Sequence, residues 1–415
     1  MRVTTAFNRV LAVPGASVAD VAFTDDGVVV GLRRRTRLHR CPCGHKVAGR
    51  YDRSRRRWRH LDLAIARVWL EAELARVWCP RCQRVRTEDV PWARPGARHS
   101  RDFEDIVAWL AQRMDKTSLS KLMRCSWEAV HRIVTHVVTE RLSASRLEDL
   151  YRIGVDEISY KRGHRYLSVV TDHDTGRVVW VGTGRSVETL QNFYAELGPA
   201  RCDQLEAVTM DGAAAYIGAT RAKAPHATIC FDAFHVIKWA NEALDGVFAA
   251  SDITALKTQM KTTTRTNATN SAWRRARYAI RAGKERLSAE HRKIITLIRS
   301  ERADLHQAWL LKEELRDLFQ IIDPDHAEAY LRDWTSRAAR SGIRPFINLA
   351  TKIAKHFDGI VAAVELGLSN SRSEGINTKI RVIQRRGYGH PNPASLTAMI
   401  YLCCSGMNIP IPTQT

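Results

Sequence analysis

“YRIGVDEISY” (residues 151–160) is the first of three short β-rich runs that decide the fold. “RYLSVVTDHD” (165–174) and “RVVWVGTGR” (177–185) follow it, and turn residues, “KRGH” and “DTG”, separate the three runs. Short runs of this composition, bounded by glycine and polar residues, predict a meander of antiparallel strands.

The chain beyond the meander alternates between helix and strand. A predicted helix (187–197) precedes a buried strand, “LEAVTMDG” (205–212), and another short helix leads to “ATICFDAFH” (227–235). Three antiparallel strands followed by alternating helices and strands predict an RNase H-like α/β core.

Three acids occupy strand positions in this predicted core. Asp156 lies within the first strand, Asp211 ends the fourth and Asp232 ends the fifth. A carboxylate in an apolar strand costs free energy unless a metal or a partner compensates it. Each acid also has a structural interpretation. Asp211–Gly212 fits a turn, Asp232 fits a helix N-cap, and Asp156 has a rival in Glu157 on the opposite strand face.

A fourth acid stands alone near the end of the chain, in “SNSRSEGINTKIRVIQRRGYG” (369–389). Glu374 is the only carboxylate from 366 to 415. The run Ser371-x-x-Glu374 fits a capping box, which is the structural interpretation of this acid. On a helix, Asn377 and Arg381 would share the face of Glu374.

The balance of charge predicts a polyanionic partner. The 415 residues carry a formal net charge of +21, with a pI near 10.0, and nucleic acid is the usual partner of such a field. No apolar run approaches the ~18 residues of a membrane-spanning helix. We therefore expect a soluble, intracellular protein of several units; the family resemblance described below further implies a bacterial, cytoplasmic, nucleoid-associated protein.

Two close cysteine pairs predict a structural zinc site. “CPRC” has the spacing of a zinc knuckle, whereas “CPC” is one residue shorter, which leaves His39 or His45 as substitute ligands. The structural alternative is four small buried thiols. The predicted ligands are Cys41, Cys43, Cys79 and Cys82.

A strongly basic segment lies between the cysteine pairs. Residues 31–60 contain twelve lysines and arginines against one acid, Asp52, with Tyr51 and Trp58 among them. A solvated charged face would have the same composition. Bracketed by zinc ligands, however, the segment predicts a rigid platform for phosphate contacts.

The next segment predicts a helix-turn-helix. Helical patterns cover 103–113, 118–124 and 127–142, and Ser126 is a candidate N-cap for the third helix. One apolar stripe on that helix consists of Val130, Ile133, Val134 and Val137. A plain three-helix bundle is the structural alternative.

Between the fifth strand and Glu374 the texture is helical, which predicts an all-α insertion at 249–368. Its tryptophans Trp273, Trp309 and Trp334 are predicted core residues. Two apolar stripes support the helices: Leu311, Leu315, Leu318 and Ile322, and Ala327, Tyr330, Leu331 and Trp334.

The order of “GVDEISYKRG”, “VTMDGAAAYIGA”, “DAFHVIKWANEALD” and “SRSEGINTKIRVIQRRGYG” resembles the DDE transposases of bacterial insertion sequences, and among them the ISL3 family. The resemblance covers nearly the whole chain, and “CPC” departs from the family's usual Cys-x-x-Cys. It implies a transposase that binds terminal inverted repeats and cuts and joins DNA. It also implies a catalytic triad of Asp156, Asp211 and Glu374 holding two magnesium or manganese ions, with Asp232 and His235 as accessory residues.

The resulting hypothesis has five domains and a DNA partner. We expect a homodimer or higher oligomer on duplex DNA; a non-catalytic regulator, or an RNase H-like nuclease or resolvase, is the alternative. The domains are a basic zinc-ribbon-like domain (1–98), the helix-turn-helix (99–148), the first part of the core (149–248), the insertion (249–368) and the last part of the core (369–415). The predicted DNA contacts are Arg53, Arg55, Arg56, Arg57, Arg59, Arg124, His131, Arg132, Asn377, Lys379 and Arg381.

Overall fold

The computed structural model describes residues 1–161, 163–250, 268–321, 323–368, 371–387, 390 and 392–411. At 250, 268–273, 324 and 371–374 the description covers the backbone alone. The chain forms two compact units, residues 1–143 with 381–415, and residues 144–380. The four predicted boundaries between the five domains stay a prediction.

The N-terminal part of the first unit is a five-stranded sheet, which the sequence did not reveal. The strand order is β1-β2-β6-β5, with β7 on β6, and a core that includes Trp58 and Leu70 lies on one face. β3 and β4 form a separate two-stranded ribbon. The elements are α1 (Val3–Leu11), β1 (Ala16–Thr24), β2 (Gly27–Arg34), β3 (His39–Arg40), β4 (Lys46–Val47), β5 (Asp52–Leu63), β6 (Ala66–Cys79) and β7 (Arg84–Thr87).

The three predicted helices of the helix-turn-helix are present as α2 (Arg101–Ala111), α3 (Lys116–Leu122) and α4 (Trp127–Arg141). The Ser126 hydroxyl accepts a hydrogen bond from the backbone N–H of Ala129 at 3.1 Å, so the predicted N-cap is confirmed. The predicted apolar stripe on α4 is buried.

The second unit contains a mixed five-stranded sheet of order β10-β9-β8-β11-β12. The first three strands pair antiparallel, as the meander predicts, while β11 pairs parallel with both β8 and β12. Its elements are β8 (Arg152–Lys161), β9 (Arg165–Asp172), β10 (Val178–Thr183), α5 (Val187–Leu197), α6 (Pro199–Cys202), β11 (Ala207–Met210), α7 (Ala214–Lys223) and β12 (Thr228–Phe231).

Regular structure between β12 and residue 368 is helical throughout the described residues. Trp334 is fully buried in this core, and its indole N–H donates to the Leu311 carbonyl at 2.8 Å. Trp309 is partly buried, whereas the Trp273 side chain and Ile322 lie outside the described residues. The helices are α8 (Ala233–Ala250), α9 (Ala268–Arg281), α10 (Ala289–Glu301), α11 (Ala303–Asp317), α12 (Pro324–Ala339), α13 (Arg344–Lys355) and α14 (Phe357–Glu365).

Two more helices end the chain, α15 (Ser371–Arg386) and α16 (Pro393–Cys404). Within the first unit α16 packs on α4, and the Gln112 side-chain amide donates to the Leu402 carbonyl at 2.7 Å. Across the described ranges, no helix combines the length and the apolar character needed to cross a bilayer.

Candidate active site and DNA-binding surfaces

Three of the predicted acids stand in one row at an edge of the second unit's sheet. Val155, Met210 and Phe231 are register partners on the parallel strands β8, β11 and β12. The residue that follows each of them is an acid, and these acids are Asp156, Asp211 and Asp232. Because parallel strands run in the same direction, the row places all three backbones side by side.

Both carboxylate oxygens of Asp156 accept hydrogen bonds. One of its carboxylate oxygens accepts a hydrogen bond from the Asn377 side-chain amide at 2.5 Å, and the other accepts one from the Glu157 backbone N–H at 2.7 Å. Burial outweighs these hydrogen bonds and raises the pKa of Asp156. A half-buried carboxylate whose charge is compensated only by two neutral donors is suited to binding a cation.

Glu157, the rival of Asp156, belongs to the other face of β8. The Glu157 carboxylate pairs with Arg185 at 3.2 Å. Ser168, the register partner of Glu157 on β9, forms a hydrogen bond between its hydroxyl and the Tyr216 hydroxyl on α7 at 2.7 Å. Burial, followed by the nearby carboxylates of Asp211 and Asp156, raises the pKa of Glu157, so the choice between Asp156 and Glu157 as the metal ligand stays a prediction.

Asp211 lies at a tight turn, and the Trp239 ring packs against the next residue, Gly212. Its carboxylate accepts a hydrogen bond from the Ala213 backbone N–H at 3.1 Å. A Cβ at Gly212 would meet the Trp239 ring at 2.9 Å, so only glycine allows this approach. The Lys352 ammonium lies 3.8 Å from the centroid of the same ring. The sequence did not single out Trp239 or Lys352, because they are distant from Asp211 along the chain.

Asp232 holds His235. It is 2% exposed, caps α8 by accepting from the Phe234 backbone N–H at 3.2 Å, and contacts Nδ1 of His235 at 3.0 Å. Burial opposes a charge on the imidazole, but the hydrogen bond with Asp232 and the nearby carboxylates of Asp156 and Asp211 together raise the pKa of His235. The predicted cap and the predicted accessory pair thus coexist in one geometry.

The Glu374 side chain lies outside the described residues, and so does the predicted capping box with Ser371. The backbone of both residues belongs to α15. Glu374 stands one helical turn before Asn377, the residue that contacts Asp156. The i, i+3 spacing from Glu374 was the sequence signal for Asn377, although that signal predicted a DNA contact rather than a contact with an acid.

The four predicted cysteines form one cluster. Their sulfurs all lie within 4.8 Å of one another, with Cys41 and Cys82 at 3.8 Å and Cys43 and Cys79 at 3.6 Å. A hydrogen bond from the His45 backbone N–H outweighs burial and lowers the pKa of Cys43 to about 6. His39 does not belong to the cluster, because its Nδ1 contacts Glu88 at 2.7 Å.

Three of the five β5 arginines that are predicted DNA contacts form ion pairs with two glutamates of β6. Arg53 pairs with Glu73 at 3.2 Å. Arg55 and Arg57 both pair with Glu71, at 2.5 and 3.3 Å. The three arginines are 43–75% exposed, whereas Glu71 is only 14% exposed. Ion pairs of such exposed arginines are weak, and three arginines face two glutamates, so the face keeps a net positive charge.

Arg56 and Arg59 have different surroundings. Arg56 is exposed, and among the described residues no carboxylate is paired with it. Arg59 is only 6% exposed; it pairs with Asp62 and donates to the His60 carbonyl at 2.5 Å. The structure therefore directs Arg59 into the protein.

The remaining predicted contacts are spread over α15 and the helix-turn-helix. Lys379 and Arg381 are exposed on α15. Arg124 donates to Asp62 at 3.1 Å and to the Ile65 carbonyl at 2.8 Å. His131 is half-buried in the cavity between α2, α4 and the end of α15, and Arg132 lies 3.8 Å from Glu128.

Comparisons with known proteins agree with this geometry. A family model described as “Transposase” matches residues 153–400, and one described as “Helix-turn-helix domain of transposase family ISL3” matches residues 88–138. The chain belongs to the ISL3 transposase family. It is 38% identical to the transposase for insertion sequence element IS1557 of Mycobacterium tuberculosis, over 99% of this chain and 98% of that protein. It is 27% identical to the transposase for IS1001 of Bordetella parapertussis, over 84% of each.

Membership of this family fixes the general activity. The transposase cuts and joins DNA strands, it binds DNA, and its chemistry uses divalent metal ions. The sheet that carries the acid row lies within the segment matched by the catalytic family model, and all three helices of the helix-turn-helix begin within the other.

Proposed function

We propose that this transposase binds the terminal inverted repeats of its insertion sequence and that Asp156, Asp211 and Glu374 hold the metal ions for cleavage and strand transfer. The observation that carries the proposal is the register Val155–Met210–Phe231, which aligns Asp156 with Asp211. The hydrogen bond from Asn377 supports the third position, because it brings α15 to Asp156.

The donor set fits magnesium or manganese. Both are hard cations that prefer carboxylate oxygens. Two such ions, when bound, activate the attacking hydroxyl and stabilise the leaving oxygen. The protein's own residues orient the ligands: Asn377 fixes one oxygen of Asp156, and Asp232 fixes the ring of His235. We assign the ring of His235 to the scissile phosphate, because Asp232 and the nearby carboxylates raise its pKa and so favour the protonated form that donates a hydrogen bond.

The fold fits the same proposal. We assign the mixed sheet, with three antiparallel strands and parallel β11 and β12, to the RNase H-like class, and the helices α8 to α14 to an all-α insertion before the third acid. On this assignment the domains divide at 98, 148, 248 and 368, as the sequence predicts. The proposed last domain, 369–415, differs from the division of the chain into two compact units, because residues 381–415 belong to the first unit.

The cysteine cluster fits one structural zinc ion in a zinc-ribbon-like module. Four ligands at about 2.3 Å from a tetrahedral ion lie about 3.8 Å from one another. The two measured sulfur separations, 3.6 and 3.8 Å, agree with that value. Cys43 therefore completes the set despite the short spacing, and neither His39 nor His45 is required.

The DNA contacts divide by surface. We assign phosphate contacts to Arg53, Arg55, Arg56 and Arg57 on β5, to Arg124 and Arg132 near α4, and to Lys379 and Arg381 on α15. We assign no direct DNA contact to Arg59, His131 or Asn377, because their side chains contact other residues of the protein or are enclosed by them. Two ends must be joined in one event, so a dimer or higher oligomer on DNA fits the activity.

A strand-transfer assay tests the proposal. A duplex carrying the element's ends is incubated with the protein, magnesium and a supercoiled target plasmid. The proposal predicts joined products that depend on the terminal repeats. Cleavage without joining would favour a nuclease or resolvase, and specific binding without cleavage would favour a regulator.

A further inference from the structure

The first unit contains a concave cleft whose cations include residues of the basic segment 31–60 that are not among the individually predicted DNA contacts. Its volume is about 1430 Å³, open solvent included. The walls come from the end of β2, the β3–β4 ribbon beside the cysteine cluster, the segment after β7, and the ends of α2 and α4. The cations that line it are Arg34, Arg37, Arg40, Lys46 and Arg101, and the acids are Asp89 and Glu140.

Ion pairs account for two of these five cations. Arg34 pairs with Glu88 at 2.8 Å, and Arg101 pairs with Glu140. Arg37, Arg40 and Lys46 are exposed, and none of them forms an ion pair within the described part of the chain. Asp89 lies within electrostatic reach of Arg40. Three cations therefore face the cleft without a carboxylate bound to them.

The backbone that carries these cations is tied down. Arg40 and Lys46 are register partners on the ribbon, and the Arg40 carbonyl accepts from the Asp89 backbone N–H at 2.6 Å. The loop with Arg37 is held because Arg34 donates to the Leu38 carbonyl at 3.3 Å. A fixed backbone lowers the entropy lost on binding.

We propose that this cleft, defined by Arg37, Arg40 and Lys46, binds the phosphate backbone of duplex DNA. The inference rests on the proposed function in assuming that the protein binds DNA through its first unit. Charge complementarity supports this occupant, because three exposed cations that form no ion pair within the described residues line one cleft, and they suit several phosphates of a duplex better than a single small anion. Contacts of this kind position the duplex and read no bases.

The test compares salt dependence for three variants. Fluorescence anisotropy measures binding to an element-end duplex and to an unrelated duplex between 50 and 200 mM salt. Loss of three phosphate contacts by R37A/R40A/K46A should reduce the slope of log K against log salt by about 2.7. The wild type should then lose about 40-fold more affinity than the variant over that range, on both duplexes.

Two control variants separate the cleft from charge and folding. R286A/R292A/K293A removes three exposed charges from the region of α10 and should keep the wild-type slope. R37K/R40K keeps the charges and should stay within about twofold of wild type, since lysine binds phosphate as a point charge. An equal loss in the α10 control, or an alanine-like loss in R37K/R40K, would overturn the proposal. If the wild type bound no duplex, the proposed function would fail with it; if it bound and R37A/R40A/K46A kept its slope, only the cleft would fail.

Discussion

Asn377 is the residue whose position says most about the catalytic site. Its amide holds Asp156 at 2.5 Å, so we expect it to orient a metal ligand rather than to bind DNA. Asn377→Ala should lower cleavage by about 10–100-fold, the usual cost of losing a hydrogen bond to a metal ligand. Duplex affinity should not change. Cleavage rates and gel-shift titrations measure the two effects.

Thr378→Ala is the matched control, because Thr378 is the next, exposed residue of α15. It should cleave like wild type. If Asn377→Ala lost DNA affinity in proportion to cleavage, Asn377 would be the DNA contact that the sequence alone suggested.

Asp232 and His235 are in contact at 3.0 Å, and we expect them to act together. If Asp232 acts by orienting His235, Asp232→Asn and His235→Ala should each reduce cleavage, and the double variant should lose no more than the worse single one. Asparagine remains a good N-cap, so Asp232→Asn preserves the start of α8. Independent, multiplying losses in the cycle would show that the two residues do not act together.

The elements of the first unit depend on the cysteine cluster. Cys79 ends β6 and Cys41 follows β3, so one ion would fasten the ribbon to the sheet. Cys43→Ser should release zinc at a lower chelator concentration than wild type and lower the melting temperature. Cys125→Ser, outside the cluster, should bind zinc normally. Purified wild-type protein that contains no zinc would refute the assignment.

Two buried histidines make the same unit sensitive to acid. Burial, with smaller contributions from nearby arginines, lowers the pKa values of His60 and His99 to about 4. The unfolded chain, with an ordinary histidine pKa near 6.5, therefore binds protons first as the pH falls. The contribution of the two neutral histidines to the free energy of unfolding is fully present above about pH 6.5. It decreases between pH 6.5 and pH 4, and the loss is about 2 kcal/mol for each histidine at pH 5.

Thermal unfolding at pH 7 and pH 5 tests this sign. His60→Gln with His99→Gln should shrink the difference in stability between the two pH values, whatever its effect at pH 7. His226→Gln, at an exposed site of the other unit, should leave the difference unchanged. An undiminished difference in the double variant would contradict the account.

At the scale of the whole molecule, local patterns predicted most elements of the second unit. Strand alternation and turn residues located β8 to β10, and the apolar stripe located α4, because both depend on neighbours along the chain. The N-terminal sheet escaped prediction because its β5 reads as a run of arginines. The pairing of β5 with β6, in which Arg55 is opposite Glu73 and Arg57 is opposite Glu71, joins segments that no local pattern connects.

The sequence also predicted part of the candidate site, namely which acids to consider, but it did not predict how they are aligned. Asp156, Asp211 and Asp232 could be chosen because each follows or interrupts an apolar strand. Their alignment, however, comes from the register of β8, β11 and β12, which is a tertiary property. The burial of Arg59 and the contact from Asn377 to Asp156 also depend on packing between distant segments, which no local pattern reveals, and the DNA contacts predicted for both side chains stay predictions.

We propose that three acids separated by 55 and 163 residues in the chain act as one metal-binding site. The most direct test is magnesium-dependent nicking of an element-end duplex by wild type, Asp156→Asn, Asp211→Asn and Glu374→Gln, each with its DNA affinity measured in parallel. Each variant should lose several orders of magnitude in cleavage while binding DNA as well as wild type or slightly better, since a negative charge beside phosphates is removed. Normal cleavage by any one of the three would contradict the account; for Glu374→Gln, it would return Glu374 to the role of a helix cap.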